Sequence, residues 1–426
     1  YRNLRLNSDI PDVAPLSLYV HVPFCRDICY YCACNKIVTR DKAAGTKYLD
    51  YLEKEVALQG GLGLNRRPIT QLHWGGGTPT FLEDAELTRL MHLLASHFHL
   101  VDSGDREYSV EIDPRRITSD TIALLKGLGF NRISLGIQDF DPLVQKSINR
   151  IQSYEMVAGL VGTIRSLDFS SLSFDLIYGL PHQDEDSIVE TMRKVLSLGP
   201  DRIACYNYAH LPTRFSSQRA IDRLTLPDPE AKLRLHALIA ATLEDAGYIH
   251  IGMDHFVKPQ DELARAQRTG RLQRNFQGYS LRKAEDLLGL GVSAISQMGD
   301  FYLQNEREIP AYYARLDANE PALTKGYRMT AEDKLRRHVI MSLACQLQLD
   351  IDDCEARFDI RFDEHFAAAL PQLDAMQEDG LVQRDGSRLR ITPAGRPFIR
   401  NICMLFDAYL DTAPRCEAAP RYSATI

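Results

Sequence analysis

Four cysteines lie within one ten-residue stretch, His21-Val-Pro-Phe-Cys25-Arg-Asp-Ile-Cys29-Tyr-Tyr-Cys32-Ala-Cys34, at offsets 0, 4, 7 and 9 from the first. Thiols spaced this way on a short loop can wrap a cuboidal cluster. Three thiolates hold three irons of a [4Fe-4S] cluster, and the fourth iron keeps an open position for a substrate or cofactor. A zinc site of four thiolates is the alternative, but such sites usually come as two cysteine pairs about a dozen or more residues apart. The other five cysteines, at 205, 345, 354, 403 and 416, are scattered, and an odd total of nine does not read as an extracellular disulfide framework. Clustered thiols in a reducing compartment point to metal.

Elements that must position this loop are legible on either side of it. Runs rich in β-branched and aromatic residues predict strands at 17–22, 69–74, 108–113, 131–137, 171–177 and 202–208. Between them, apolar residues at helical spacing predict helices, for example Tyr48, Leu49, Leu52 and Val56, or Ile188, Met192, Val195 and Leu196. Strand joined to strand through a helix implies parallel pairing, in an open doubly wound sheet or in a full or partial barrel. Both architectures put their chemistry beyond the C-terminal ends of the strands. The sequence obeys that rule: the first strand runs into the cysteines and the second into Gly75-Gly76-Gly77-Thr78-Pro79. The third carries Glu111 and Asp113, the fourth Gln138 and Asp139, the fifth Asp175, and the sixth Asn207 and His210.

The spacing Cys25-x3-Cys29-x2-Cys32 after the first strand of a βα series resembles the radical S-adenosylmethionine (SAM) superfamily. More closely, YVHVPFC, CYYCACNKIVTR, HWGGGTPT, EIDPR, GIQDF, DLIYGLP, NYAHLPT, GMDHF, RNFQGY and GVSAIS together resemble the oxygen-independent coproporphyrinogen III oxidase family, from about Leu16 to about Leu410. The fold this implies is α/β: a partial (βα)6 TIM-like radical SAM barrel with a smaller, mostly helical C-terminal domain. The corresponding division is a truncated N-terminal segment at 1–16, a catalytic domain at 17–300 and a winged-helix-like domain at 301–426. Members of the family carry a further N-terminal segment before the first strand, and only 16 residues precede Ser17 here.

The resemblance further implies Cys25, Cys29 and Cys32 as cluster ligands, with Cys34 nearby in a role it does not define. It implies two SAM molecules, the first contacting Tyr19, Gly76, Glu111 and Ile295, the second Tyr31, Gly77, Thr78, Gln138, Arg150, Asp175 and Ala209. One electron from the cluster would cleave SAM to a 5′-deoxyadenosyl radical. The implied reaction is oxidative decarboxylation of two propionates of coproporphyrinogen III to vinyl groups, giving protoporphyrinogen IX. A small electron carrier such as a flavodoxin is the implied reductant, and the chain is expected to be a monomer.

Residue chemistry supports part of this set. Three glycines after a strand allow backbone amides to approach a ligand closely, although a tight turn before Pro79 would use them equally. Glu111 and Asp175 suit ribose hydroxyls or cationic groups of SAM, and Arg150 suits a bidentate carboxylate, each with an ordinary salt bridge as the alternative. Lys36, Arg40, Arg274 and Arg400 are candidate partners for substrate propionates. His21, His210 and His255 read as core histidines bonded to backbone, since hydrogen abstraction by a radical needs no general base. Gly289-Leu-Gly291 mimics a dinucleotide fingerprint without opening a βαβ unit. Trp74, the one tryptophan, reads as packing.

Composition removes other classes. With 50 Lys+Arg against 57 Asp+Glu, the net charge of −7 provides no basic field for nucleic acid or an anionic membrane. No apolar run is long enough to span a membrane and the N-terminus lacks a signal-peptide build, so a cytoplasmic protein is expected. Toward the C-terminus, helical patterns precede a hairpin signal at Asp385-Gly386-Ser387 and a helix expected through 395–410, an acidic winged-helix-like region better suited to packing or lid use than to DNA. Two paralogous families, a haem-binding chaperone and a haem-degrading radical SAM methyltransferase, share the three-cysteine loop. The chaperone typically has an aromatic residue where Cys34 stands, which favours the oxidase.

Overall fold

The computed structural model describes residues 14–61, 63–104, 106–275, 278–281 and 286–410. Most of the expected N-terminal segment, part of the RNFQGYS stretch and Cys416 lie outside them. The chain forms two compact units that interleave along the sequence. One takes the chain to Arg202 together with Phe215–Pro227 and the stretch ending at Arg328, and the other takes Ile203–Arg214, the stretch from Asp228 and everything from Met329 onward.

In the first unit five strands, β1 (Leu16–Val22), β2 (Pro68–Gly76), β3 (Glu107–Ile112), β4 (Arg132–Gln138) and β5 (Ser171–Tyr178), lie side by side in sequence order and pair in parallel. Between them the chain passes through α1 (Ala43–Gly60), α2 (Asp84–His97), α3 (Ser119–Gly127) and α4 (Tyr154–Ser166), with α5 (Glu185–Leu198) after the last. A doubly wound sheet reverses its strand order at a switch point. These strands do not reverse, so the arrangement is an arc of barrel. On its other side β1 pairs in parallel with β6 (Asp286–Leu290), and β7 (Ile295–Met298), β8 (Phe301–Asn305) and β9 (Leu323–Arg328) continue the sheet antiparallel.

Strand composition explains what each face does. Leu18, Val20, Leu72, Trp74, Val110, Ile112, Ile133, Leu135, Leu172 and Phe174 are fully or almost fully buried, and they alternate with Tyr19, His73, Ser109, Glu111, Ser134, Gly136, Ser173 and Asp175, which are all partly exposed. Parallel strands packed on both faces read as continuous apolar runs. Here the period-2 alternation leaves one face polar and open, while the helices cover the other. Trp74 belongs to the covered face, its indole edge-on to Phe130 at 4.7 Å, the packing role its sequence context predicts.

Helix α1 is tied to this sheet through a buried acid. Glu55 accepts hydrogen bonds from the Gly291 amide (2.7 Å), Asn305 Nδ2 (2.6 Å) and Tyr312 Oη (2.6 Å). Burial raises its pKa, and these donors keep the acid satisfied. Gly291, at φ +95°, is where a Cβ would fall 2.4 Å from Tyr48 Oη and 2.6 Å from the His21 carbonyl. Gly289 and Gly291 therefore serve close packing of this turn and do not open a helix, in agreement with discounting the dinucleotide fingerprint.

The second unit contains the strand Arg202–Asn207, the hairpin Ile249–Gly252 and His255–Val257, and the helix Pro229–Asp245. Its C-terminal core packs Leu335, Val339, Leu343, Phe362, Leu373, Leu389 and Phe406 around a three-stranded sheet, Gln348–Asp350, Arg388–Ile391 and Val382–Arg384. The expected hairpin at 385–387 is present. The expected helix over 395–410 is shorter, reduced to Ile399–Met404 behind a 3-10 turn at Arg396–Phe398. Cys205, Cys345, Cys354 and Cys403 are buried thiols in this unit, so these four of the scattered cysteines are core residues. No helix among the described residues is long and apolar enough to cross a membrane.

Candidate active site

The cysteine loop leaves the end of β1 and is held in place by backbone and side chains remote in sequence. The Tyr30 amide donates to the Ile148 carbonyl (3.0 Å), and Asn149 Nδ2 donates to the Ile28 carbonyl (2.7 Å). Ser217 Oγ and Lys36 Nζ both donate to the Cys32 carbonyl, and Gln218 Nε2 donates to that of Tyr31. The loop is thus tied to residues far from it in the chain. Cys29 is buried, Cys25 and Cys32 are half-buried and Cys34 is exposed.

The thiols differ in acidity. Burial pushes Cys25 up to about 12, further raised by the nearby Cys32 and Cys29 sulfurs. Cys32 is lowered to about 6 by a hydrogen bond from the Cys34 thiol and by the Lys36 ammonium. Cys34 is itself raised, first by that same bond. The sequence left Cys34 without a role, and its effect in the fold is to favour the thiolate form of Cys32. Among the described residues no three His, Cys, Asp or Glu side chains converge on one ion. Thiolates that each take a separate iron of a cuboidal cluster do not need to converge, and a donor set of three sulfurs on one loop suits such a cluster.

Two arginines meet Cys29. Asp113 caps the 3-10 turn Pro114–Arg116 by accepting from the Arg115 amide, and the turn folds Arg115 back onto the Asp113 carboxylate at 2.9 Å (Nε) and 2.6 Å (Nη2). Arg115 Nη2 also donates to Cys29 Sγ at 3.4 Å. Arg150 reaches the same sulfur from the other side, Nη1 at 3.4 Å, while binding Asp113 and the Gly136 carbonyl. Burial opposes ionisation of Asp113, yet Arg150 and Arg115 hold its carboxyl at about 2. Gly136 is obligatory here: a Cβ would lie 2.8 Å from Arg150 Nη2. With its fork so engaged, Arg150 would share it with any ligand carboxylate.

The glycine run meets its surroundings differently from the sequence expectation. Amides of Gly76, Gly77 and Thr78 are donated to Glu111 Oε2 (3.2 Å), the Val22 carbonyl (2.8 Å) and the Phe24 carbonyl (2.8 Å). A Cβ on Gly77 would fall 2.7 Å from the Pro23 carbonyl, and one on Gly76, at φ +114°, 2.6 Å from the His21 ring. These glycines let the end of β2 press against the cysteine loop itself. Thr78 thereby comes to 3.7 Å from Cys25 Sγ.

Strand register gathers the other predicted residues. Tyr19 pairs with His73 on one side and Gly289 on the other, and its ring stacks on His73 at 5.8 Å. Ile295 lies against Gly289, where a Cβ would sit 2.5 Å from the Ile295 carbonyl. His73 bridges Ser109 (2.5 Å) and Glu111 (3.0 Å). Burial would raise Glu111, but His73 and the Gly76 amide outweigh it and hold the carboxyl below its usual range. Gln138 closes β4 at φ +67°, a backbone conformation that side-chain-bearing residues adopt mainly where function or packing demands it. Ala209 belongs to the second compact unit. His21 accepts or donates between Tyr19 Oη and the Asn35 carbonyl, the backbone-bonded role expected of it.

Asp175 pairs with Gly136 across the strands and accepts from Ser134 Oγ at 2.9 Å. Burial, then the charge of Glu111, raises its pKa to about 7. A carboxyl whose folded pKa lies above its unfolded value takes up a proton on folding, so stability falls as pH rises from about 4 toward 7. Asp175→Asn is expected to flatten this part of the pH–stability curve of the cofactor-free protein, so that the variant gains on the parent at pH 8 and not at pH 4. Denaturant melts across that range would show it, and parallel curves would disprove it.

Sequence reasoning did not single out Arg115, His73, Ser109 or Ser134. The alternation of the strands was the available signal for the last three. Of the propionate candidates, Arg400 forms a two-pronged pair with the buried Asp254, Arg40 is largely exposed beside Asp27, and Arg274 lies over the Tyr279 ring at 5.8 Å.

The radical SAM superfamily matches residues 19–195, and the HemN C-terminal domain matches residues 329–398. The oxygen-independent coproporphyrinogen III oxidase of Pseudomonas aeruginosa is 47% identical over 401 residues, 94% of this chain and 87% of the relative. The protein of the same name from Escherichia coli K12 is 47% identical over 96% of this chain and 88% of its own length, and that of Synechocystis 44% identical over 96% and 88%. The solved E. coli coproporphyrinogen III oxidase, described as a radical SAM enzyme, superposes with a TM-score of 0.91 at 47% identity, covering 94% of this chain and 92% of the other.

Proposed function

The chain belongs to the oxygen-independent coproporphyrinogen III oxidases of the radical SAM superfamily, and we infer from this that it converts two propionates of coproporphyrinogen III to vinyl groups, giving protoporphyrinogen IX for haem. The structural observation that carries the reading is the cysteine loop at the C-terminal end of β1, on a parallel sheet with one polar, partly exposed face, an arrangement that would set a cluster beside polar side chains. Each conversion removes a hydrogen atom from the propionate β-carbon, CO2 and one electron. A bound [4Fe-4S] cluster with SAM supplies the hydrogen-abstracting radical.

The protein's share is binding and orientation. Cys25, Cys29 and Cys32 hold the cluster, and Cys34 and Lys36 favour thiolate at Cys32. Tyr19, Gly76, Glu111 and Ile295 hold a first SAM, Glu111 as an ionised carboxylate braced by His73. Tyr31, Gly77, Thr78, Gln138, Arg150, Asp175 and Ala209 hold a second. The Glu111 charge helps raise the pKa of Asp175, so a cationic ligand beside Asp175 would favour its ionised form. Residues 17–300 form the catalytic region. We assign the enzyme to the cytoplasm as a monomer, reduced by a small carrier such as a flavodoxin, without nucleic acid or membrane partners.

The deciding experiment is anaerobic: reconstitution with iron and sulfide, then SAM, reductant and coproporphyrinogen III, with mass spectrometry of the products. The divinyl product with two 5′-deoxyadenosines per substrate is expected. An iron-loaded protein that forms no product but binds haem tightly would replace this reading with the chaperone one.

A further inference from the structure

Arg115 is outside every ligand set considered above, yet it is one of two guanidiniums that donate to the Cys29 sulfur, both at 3.4 Å. Its side chain is 13% exposed and that of Arg150 7%, and the one carboxylate between them, Asp113, is 11% exposed. Two buried positive charges against one negative leave a net unit of positive charge beside a single cysteine of the loop. The Cys25 and Cys32 sulfurs have other neighbours: Thr78 Oγ1 at 3.7 Å from Cys25, and Cys34 and Lys36 beside Cys32.

Hydrogen bonds to the sulfurs and nearby charge set the reduction potential of an iron–sulfur cluster, and low local dielectric magnifies both. An added electron makes the cluster more negative, so a fixed cation and an N–H donor at a ligating sulfur favour the reduced form. We propose that Arg115 is a positioning and tuning residue that raises the reduction potential of the cluster through its bond to the Cys29 sulfur, held to that task by Asp113. The inference rests on the three-thiolate cluster reading above. It also separates the two arginines: Arg150 divides its fork among Gly136, Asp113 and Cys29, whereas Arg115 reaches no residue assigned to SAM.

The loop keeps anchors that do not involve Arg115. The Tyr30 amide donates to Ile148, and Ser217 and Gln218 hold the Cys32 and Tyr31 carbonyls; Asn149 holds Ile28 while Arg115 reaches the Asn149 carbonyl, and Arg150 keeps Asp113 paired. The test is an EPR-monitored redox titration of the anaerobically reconstituted full chain, without SAM, for the parent, Arg115→Met and Arg115→Lys. Expected are full iron and sulfide in all three and a lower midpoint in Arg115→Met. At a given poise its reduced-to-oxidised ratio falls about tenfold, equivalent to about 59 mV for a one-electron couple. Arg115→Lys, which keeps the charge but not the planar fork, falls between. Parental midpoints in both variants would overturn the proposal. So would loss of the cluster from both, which would make Arg115 a brace of the loop alone. Failure of the underlying cluster reading is distinguishable, because the parent would then take up no iron–sulfur cluster before any variant was made.

Discussion

Cys29→Ala is expected to lose the brown absorbance of the reconstituted protein and all SAM cleavage above background, whereas Cys34→Ala keeps iron close to the parental content. Cys29 is the sulfur most enclosed by protein, met by two guanidiniums that no other side chain at that position could engage as a thiolate does. Its removal leaves an opening in the ligand set that no neighbouring thiol can fill without moving the loop. Cys34 acts on the site by favouring the Cys32 thiolate, so its loss weakens an outer contact rather than a metal bond. Loss of such an outer contact costs on the order of tenfold in activity. Iron and sulfide assays beside a 5′-deoxyadenosine assay measure both. Equal iron loss in the two variants would defeat the three-ligand assignment.

Gly76→Ala is expected to be nearly as damaging through geometry alone. The residue sits at φ +114°, and the added Cβ would fall 2.6 Å from the His21 ring. Relief requires the ring to leave Tyr19 and the Asn35 carbonyl, which lie on the wall assigned to the first SAM and on the cysteine loop. A strained backbone position of this kind costs about 1–3 kcal/mol. Misplacement of the wall by about 1 Å is enough for roughly a hundredfold loss in turnover. Gly159→Ala is the control: this helix position in α4 has no atom within 4 Å of the added Cβ and is expected to gain about 0.5–1 kcal/mol. Denaturation midpoints and calorimetric SAM binding separate the two. Equal SAM affinity in Gly76→Ala and the parent would remove the glycine from the site.

The strands were legible because each is a short β-branched run with turn residues after it. The predicted 69–74 and 131–137 differ from Pro68–Gly76 and Arg132–Gln138 only at their ends. The cysteine loop was legible because its chemistry is local in sequence. Arg115 was not, because its meaning lies in a sulfur 86 residues away, and Arg400 looked like a free cation until the fold paired it with an aspartate 146 residues away. The glycine run was read as a place of close approach, and the fold shows a close approach there. The amides of Gly76, Gly77 and Thr78 go to Glu111, to the Val22 carbonyl at the end of β1 and to the Phe24 carbonyl, and only the fold shows that Pro23 and Phe24 return over Gly77. The interleaving of the two compact units is likewise invisible to a linear reading of elements.

The latch on the cysteine loop bears on when the metal can be installed. Strand β1 has β2 and β6 as its two neighbours, and Leu18 meets Leu288 only after some 270 further residues have been made. Ser217 and Gln218, which grip the carbonyls of Cys32 and Tyr31, also arrive late, 185 and 187 residues downstream. Contacts of such separation form late because a long loop must close first. During translation the four thiols are therefore tethered to an unfinished sheet, exposed to oxidation and to stray metal. Cluster delivery is expected to follow the closing of β6 onto β1, and the yield of intact enzyme to fall when that closing is slow compared with the reaction of oxygen with the thiols.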